Sequence, residues 1–306
     1  MNKIEKFYNR VGSQQDPVSL QVGITDHCYN ECKMCGHHLR PDKMQLPAQQ
    51  WIDFLKQRNM VKSVCYSGGD PLAHLGFNQI MEWHIHNNLP FSIITAGFIP
   101  YHIEMSLLKH ASSAAVSLDS IRGSVYKAQR GGVISVVDVK DGIAEMVKAG
   151  IRVKLGITVT SINQPYVHEV LQYAQGHGID KVLVHPAYGS DIDLGINPHD
   201  WPDLNLWIYD YHDLDTGCQC AVPYYHAFID AKGDIYHCCI TAGDTRKESR
   251  SRPLGNIDNW YEYLANRSEF FRSWPVQATY ACAECQDRLH NINKEVHQLN
   301  TKQIFF

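Results

Sequence analysis

The stretch His27-Cys28-Tyr29-Asn30-Glu31-Cys32-Lys33-Met34-Cys35 carries three cysteines spaced C-x3-C-x2-C. Just before it, Leu20, Val22 and Ile24 alternate with Gln21, Gly23 and Thr25, which reads as a β-strand. The cysteines therefore sit on a loop leaving a strand. A [4Fe-4S] cube normally takes four thiolates, so three from one short loop leave one iron open. An open coordination position is what a metal centre needs to bind a substrate or cofactor directly. On spacing alone, a zinc knuckle or a set of structural cysteines competes with this reading.

Outward from the loop, short apolar runs alternate with helical patterns. Further strands are expected at 61–67, 91–96, 113–119, 151–160 and 179–185, with helices after Pro47, over 73–88, around the Val136, Val139, Ile143, Met146 and Val147 stripe, and over 165–176. Gly150 is placed to end the third of these helices. Six strands alternating with helices imply an α/β fold with a parallel sheet and right-handed crossovers, most economically a partial (β/α)6 TIM-like barrel. Ligands in such sheets bind at the C-terminal strand ends. The pattern stops near Gly189. Residues 191–215 read as a connection, and 227–237 as a β-hairpin turning at Gly233. Helices near 260–271 and after Cys285 complete the chain. The expected division is 1–189 and 190–306.

The cysteine spacing after the first strand resembles the motif of the radical S-adenosylmethionine (radical SAM) superfamily, and the likeness runs through roughly residues 18–290. It implies that Cys28, Cys32 and Cys35 ligate a [4Fe-4S] cluster whose open iron binds S-adenosylmethionine. Met34 stands where an aromatic residue is usual, and its polarizable thioether can serve as a surface for the adenine. Ser67-Gly68-Gly69-Asp70-Pro71 is similar to the family's Gly-Gly-Glu-Pro motif, with Asp for Glu; read alone it is a turn. Thr95-Ala96-Gly97 and Ser117-Leu118-Asp119-Ser120 match polar strand ends of the family. The resemblance puts Met34, Ser67, Gly68, Gly69, Asp70, Pro71, Thr95, Ser117, Asp119 and Arg130 around the cofactor. Asp119 alternatively faces the substrate, and Arg130 alternatively holds Asp119.

Cys220 and Cys238 flank the hairpin, and Cys282-Ala283-Glu284-Cys285 follows. This arrangement resembles the "twitch" extension, a shortened form of the larger SPASM extension. It implies a small β-hairpin-plus-helix domain in which Cys220, Cys238, Cys282 and Cys285 hold a second, auxiliary [4Fe-4S] cluster. Four thiolates leave no open iron, which suits electron transfer. A structural zinc site with four cysteines is the competing reading, and Cys218 competes with Cys220 as ligand. Cys65 is expected to be a buried small hydrophobe. Cys239, like Cys218, is either a bystander or a hydrogen-atom donor, which leaves Asp119 and Cys239 as candidate catalytic residues. Tyr29, His37, His185, Tyr188, Tyr224 and Tyr225 line a cavity or merely pack.

Composition agrees with a globular chain of one or two domains: 306 residues, 44% hydrophobic and 20% charged. Ten cysteines without an apolar export signal favour metal ligation over disulfides and a cytoplasmic location. No apolar run is long enough to cross a membrane. A net charge of −4 gives no broad grip on nucleic acid, though a nucleotide-sized substrate stays open. The resemblance implies a radical oxidoreductase carrying out a two-electron oxidation of a small metabolite or peptide, with a flavodoxin- or ferredoxin-type electron donor. Epimerisation, rearrangement or cyclisation, and peptide or nucleotide modification, use the same radical. A non-catalytic metal-binding scaffold is the reading of another class. The first strand begins near residue 18, which leaves little sequence ahead of it for a leader-peptide recognition domain.

Overall fold

The structure is a computed structural model and describes residues 17–35, 43–187, 190, 192–208, 226–236, 239 and 253–273. The first six strands are β1 (Ser19–Thr25), β2 (Ser63–Gly68), β3 (Phe91–Thr95), β4 (Ala114–Ser117), β5 (Val153–Val159) and β6 (Lys181–Pro186). They lie side by side in chain order, and every pairing is parallel. The helices between them are α1 (Ala48–Lys56), α2 (Phe77–His86), α3 (Met105–Leu108), α4 (Gly123–Arg130), α5 (Val136–Lys148) and α6 (Val167–Gly176). This is the expected partial (β/α)6 TIM-like barrel.

The period-2 pattern shows which face is which. Leu20, Val22, Val64, Tyr66, Ile93, Val116, Leu155 and Val182 are all buried, on the face covered by helices. Their alternates, Gln21, Cys65, Ser92, Ala115, Lys154, Thr158 and His185, are half-buried and line the other, concave face. Cys65 is thus corrected from a buried core residue to a half-buried one, because it pairs in register with Gln21 and Ser92 rather than with the apolar set. α5 starts with a capping box in which Ser135 Oγ accepts from the Asp138 amide and Asp138 accepts from the Ser135 amide and hydroxyl. Gly150, with φ of 83°, follows its end as expected.

Two short strands and the hairpin extend the same sheet. β7 (Leu206–Ile208) pairs with β6, within what sequence alone presents as a connection. β8 (His226–Ile229) and β9 (Asp234–Tyr236) form the hairpin, and β10 (Gly255–Asn256) pairs with β9. β8 lies parallel beside β1, so the sheet order is β10-β9-β8-β1-β2-β3-β4-β5-β6-β7. The hairpin turn is held by Asp230 Oδ1, which accepts from the Lys232 and Asp234 amides, with Gly233 at φ of 86°. α7 (Trp260–Ser273) packs Trp260 edge-on against Phe54 of α1. No helix among the described residues is long and apolar enough to cross a membrane.

Candidate active site at the cysteine loop

The loop after β1 is clamped from three sides. At its root, Thr25 Oγ1 donates to Gln45 Oε1 (2.9 Å), and the Asp26 amide donates to the Met44 carbonyl (2.9 Å). From the end of β2, the Gly69 amide donates to Thr25 O (2.7 Å) and the Asp70 amide to His27 O (2.8 Å). From the end of α4, Arg130 O accepts from the Glu31 amide (2.9 Å) and Gln129 O from the Lys33 amide (3.1 Å). The Val133 amide completes this arm on Tyr29 O (3.0 Å).

Glycines permit these approaches. A Cβ on Gly69 would stand 2.2 Å from the His27 carbonyl oxygen, and one on Gly132 would stand 2.2 Å from that of Tyr29. Both obstacles are backbone, so neither can turn aside. Gly131 and Gly132 also have positive φ, 58° and 68°. The Lys127 ammonium donates to the Gly132 carbonyl and closes the turn.

The predicted polar residues divide by what they touch. Asp70 is fully buried at the N-terminus of a 3-10 turn, Pro71–Ala73. Its carboxylate accepts from the Leu72 amide (3.0 Å), the Ala96 amide (2.8 Å) and the Thr95 hydroxyl (3.0 Å). It thus ties the end of β2 to the end of β3. Burial raises the Asp70 pKa to about 6, against the pull of those donors. Ser67 is buried and its hydroxyl accepts from Gln21 Nε2 (3.1 Å) on the concave face. Ser117 ends β4 half-buried, Met34 is half-buried in the turn before Cys35, and Pro71 is buried. Asp119 is fully buried, with Oδ1 accepting from the Thr158 amide (2.8 Å) and Oδ2 from Arg130 Nε (2.5 Å). Of the two readings of Arg130, the structure realises the pairing with Asp119.

Cys32 is buried, while Cys28 is exposed and Cys35 half-buried. Burial pushes the Cys32 thiol pKa up, and the adjacent Arg130 opposes that rise. Packed protein atoms, Asp70 and the neighbouring thiols push Cys28 well above the ordinary thiol range, although part of the residue is open to solvent. These thiols therefore ionise when a cation is there to take the charge, which couples ligation to proton release. Among the described residues no three His, Cys, Asp or Glu side chains are gathered to hold a single metal ion. A cluster makes a different demand, because its cysteines bind separate irons. An all-thiol donor set on a clamped loop, with an amide donating to Cys28 Sγ (3.4 Å, from Asn30), fits such a group.

Sequence reasoning missed several supporting residues. Asn30 donates to the Tyr126 hydroxyl (3.1 Å), and Gln129 donates to Thr158 O (2.8 Å). Asn163 donates to Asp119 O (2.9 Å). No local spacing marks them; the Gly68-Gly69-Asp70 turn is the arm of the clamp that sequence does mark. Tyr29 packs edge-on against Phe98, and His185 Nε2 stands 3.3 Å from the Thr158 hydroxyl. Cys239 is half-buried. Cys218, Cys220, Cys238, Cys282 and Cys285, like His37, Tyr188, Tyr224 and Tyr225, lie outside the described residues.

Known proteins fit this geometry. The Radical SAM superfamily matches residues 22–184, and the SPASM iron-sulfur cluster-binding domain matches 218–286. A stretch of 157 residues is 28% identical to an S-adenosylmethionine-dependent nucleotide dehydratase of Selenomonas ruminantium, covering 47% of this chain and 57% of that protein. Over 304 residues the chain is 20% identical to the antilisterial bacteriocin subtilosin biosynthesis protein AlbA of Bacillus subtilis (strain 168), covering 90% and 65%. The chain thus spans under two thirds of the length of these relatives. The fold superposes on SuiB of Streptococcus suis, solved with S-adenosylmethionine, with a TM-score of 0.67 at 16% identity, covering 92% of this chain and 75% of that one. The cysteine loop, its clamp and the family match agree: the chain belongs to the radical SAM superfamily, with S-adenosylmethionine and a [4Fe-4S] cluster as its cofactors and a match to a SPASM iron-sulfur domain later in the sequence.

Proposed function

We propose that this chain carries out radical-mediated oxidation of a peptide substrate. With its cofactors bound, S-adenosylmethionine and two [4Fe-4S] clusters supply a 5′-deoxyadenosyl radical that takes a hydrogen atom from carbon and an acceptor for the electron left behind, a net two-electron oxidation. Cys28, Cys32 and Cys35 hold the first cluster, and Cys220, Cys238, Cys282 and Cys285 the auxiliary one, in a domain division of 1–189 and 190–306. The carbonyls of Gly68 and Gly69 receive the amino group of the cofactor, and Ser117 meets its ribose or methionine part. Met34 backs the adenine. Asp70 and Thr95 keep the second and third strand ends in register beneath it. A flavodoxin- or ferredoxin-type protein supplies the first electron.

One observation carries this reading: the cysteine loop is fixed by hydrogen bonds from both the Gly-Gly-Asp-Pro turn and the Arg-Gly-Gly turn. A peptide is favoured as substrate because the likeness to a bacteriocin biosynthesis protein runs through 90% of this chain. SuiB, which shares the fold, has also been solved with its precursor peptide. A nucleotide is the second reading, carried by the 28% identity to a nucleotide dehydratase.

Anaerobic reconstitution followed by dithionite tests the chemistry. Wild type should carry about eight irons and release 5′-deoxyadenosine, while Cys28→Ala/Cys32→Ala/Cys35→Ala should keep about four irons and release none. Full iron without cofactor cleavage in wild type overturns the enzymatic reading. Deuterium transfer into 5′-deoxyadenosine from labelled peptides, and not from labelled nucleotides, decides the substrate class; the reverse result selects the second reading.

A further inference from the structure

Arg130 is a charged side chain whose polar contacts span the barrel wall and the cysteine loop. Its Nε donates to Asp119 Oδ2 at 2.5 Å, and its Nη1 lies 3.7 Å from Cys32 Sγ, within hydrogen-bond reach of a sulfur. Its own carbonyl accepts from the Glu31 amide. Backbone and side chain of a single residue thus bind two consecutive loop residues. The guanidinium is fixed from behind as well. Asp119 is held by the Thr158 amide at its second oxygen and by Asn163 at its carbonyl, and Asn163 is itself fully buried. The whole chain from Cys32 through Arg130 to Asp119 is buried.

A cation buried beside a ligand sulfur favours whichever state of the attached cluster carries more negative charge, and hydrogen bonds to cluster sulfurs act in the same sense. Asp119 behind it works with the opposite sign, at greater distance from Cys32. We propose that Arg130, aimed by Asp119, is a positioning residue that raises the reduction potential of the cluster on the cysteine loop, so that the pair sets how readily this cluster takes its electron. Its Nε and Nη1 face Asp119 and Cys32, which places the charge beside the cluster ligand. The inference rests on Cys28, Cys32 and Cys35 being the ligands.

The test is a potentiometric titration of the reconstituted full chain followed by electron paramagnetic resonance, reading the signal that changes on adding S-adenosylmethionine. Arg130→Met should shift that couple to more negative potential. Asp119→Asn, which leaves the guanidinium uncompensated, should shift it to more positive potential. Arg130→Lys keeps the charge and should fall between Arg130→Met and wild type. Shifts of the same sign in Arg130→Met and Asp119→Asn, or no shift in either at wild-type iron content, overturn the proposal. If Arg130→Met does not fold, the Asp119→Asn and Arg130→Lys pair decides it by the same signs. Failure of the ligand assignment is read separately, as full iron retention by the triple cysteine variant.

Discussion

The Gly132→Ala variant tests whether a turn about one hundred residues downstream shapes the cysteine loop. An added Cβ would stand 2.2 Å from Tyr29 O and 2.5 Å from Asn30 Cα. Ordinary contact begins at 3.4 Å, so the two backbones must separate by the difference, about 1.2 Å. A retreat of that size breaks the Val133 to Tyr29 and Glu31 to Arg130 backbone bonds, each worth about 1 kcal/mol. The φ of 68° adds left-handed strain of about 1–2 kcal/mol for a residue with a side chain. The total is roughly 3–4 kcal/mol. Gly150 supplies the control: its φ is 83°, yet nothing lies within 4 Å of an added Cβ, so Gly150→Ala bears the strain alone. Thermal unfolding should therefore drop further in Gly132→Ala than in Gly150→Ala. Iron content should separate them more sharply, with Gly132→Ala losing about four irons and Gly150→Ala none. Equal melting shifts together with equal iron would refute the clamp.

Two further measurements probe the scaffold. His84 accepts from the Tyr66 hydroxyl (2.6 Å) and donates to Leu89 O (2.8 Å), and burial pushes its pKa down to about 4. A histidine depressed below its unfolded value near 6.5 stabilises above that pH and loses its contribution as pH falls toward 4, up to about 3 kcal/mol. Asp70, with its raised pKa, acts with the opposite sign over the same window. The readout is thus the difference in urea midpoint between wild type and His84→Gln, which should shrink from pH 7 to pH 4.5; a constant difference would contradict it. In α5, a Cβ on Gly142 would meet Gly97 O at 1.9 Å, so Gly142→Ala should destabilise by about 1–3 kcal/mol despite alanine's better helix propensity. Gly176→Ala, with nothing within 4 Å, should instead raise the melting temperature.

The parts of the site that depend on neighbours in sequence were legible before any coordinates. Alternation marks β1 because one face meets helices and the other the concave interior, and the cysteine spacing is local to one loop. Strand ends at 67–71, 95–97 and 117–120 were placed for the same reason. α4 was not, since its buried side chains are Tyr126, Gln129 and Arg130 and carry little apolar signal. That helix delivers the arm that grips the loop. β7 and β10 are three and two residues long, too short for a period to register. The partnership of Arg130 with Cys32 spans 98 positions and is a tertiary fact. What a sequence can supply there is a choice of roles, and the structure adds the contacts with Asp119 and Cys32.

The seating of β8 against β1 has a consequence for biosynthesis. β1 is interior to the sheet, but one of its two neighbours begins only at His226, where Ser19 Oγ lies 2.9 Å from the His226 ring. At about 5–20 residues per second, the ribosome needs on the order of 10–40 s to supply that neighbour after β1 has emerged. Through that interval the strand bearing the cysteine loop keeps one row of amides and carbonyls open, a template for pairing with another nascent chain. Slow translation between residues 25 and 226 should therefore lower the yield of this protein more than slow translation after 236.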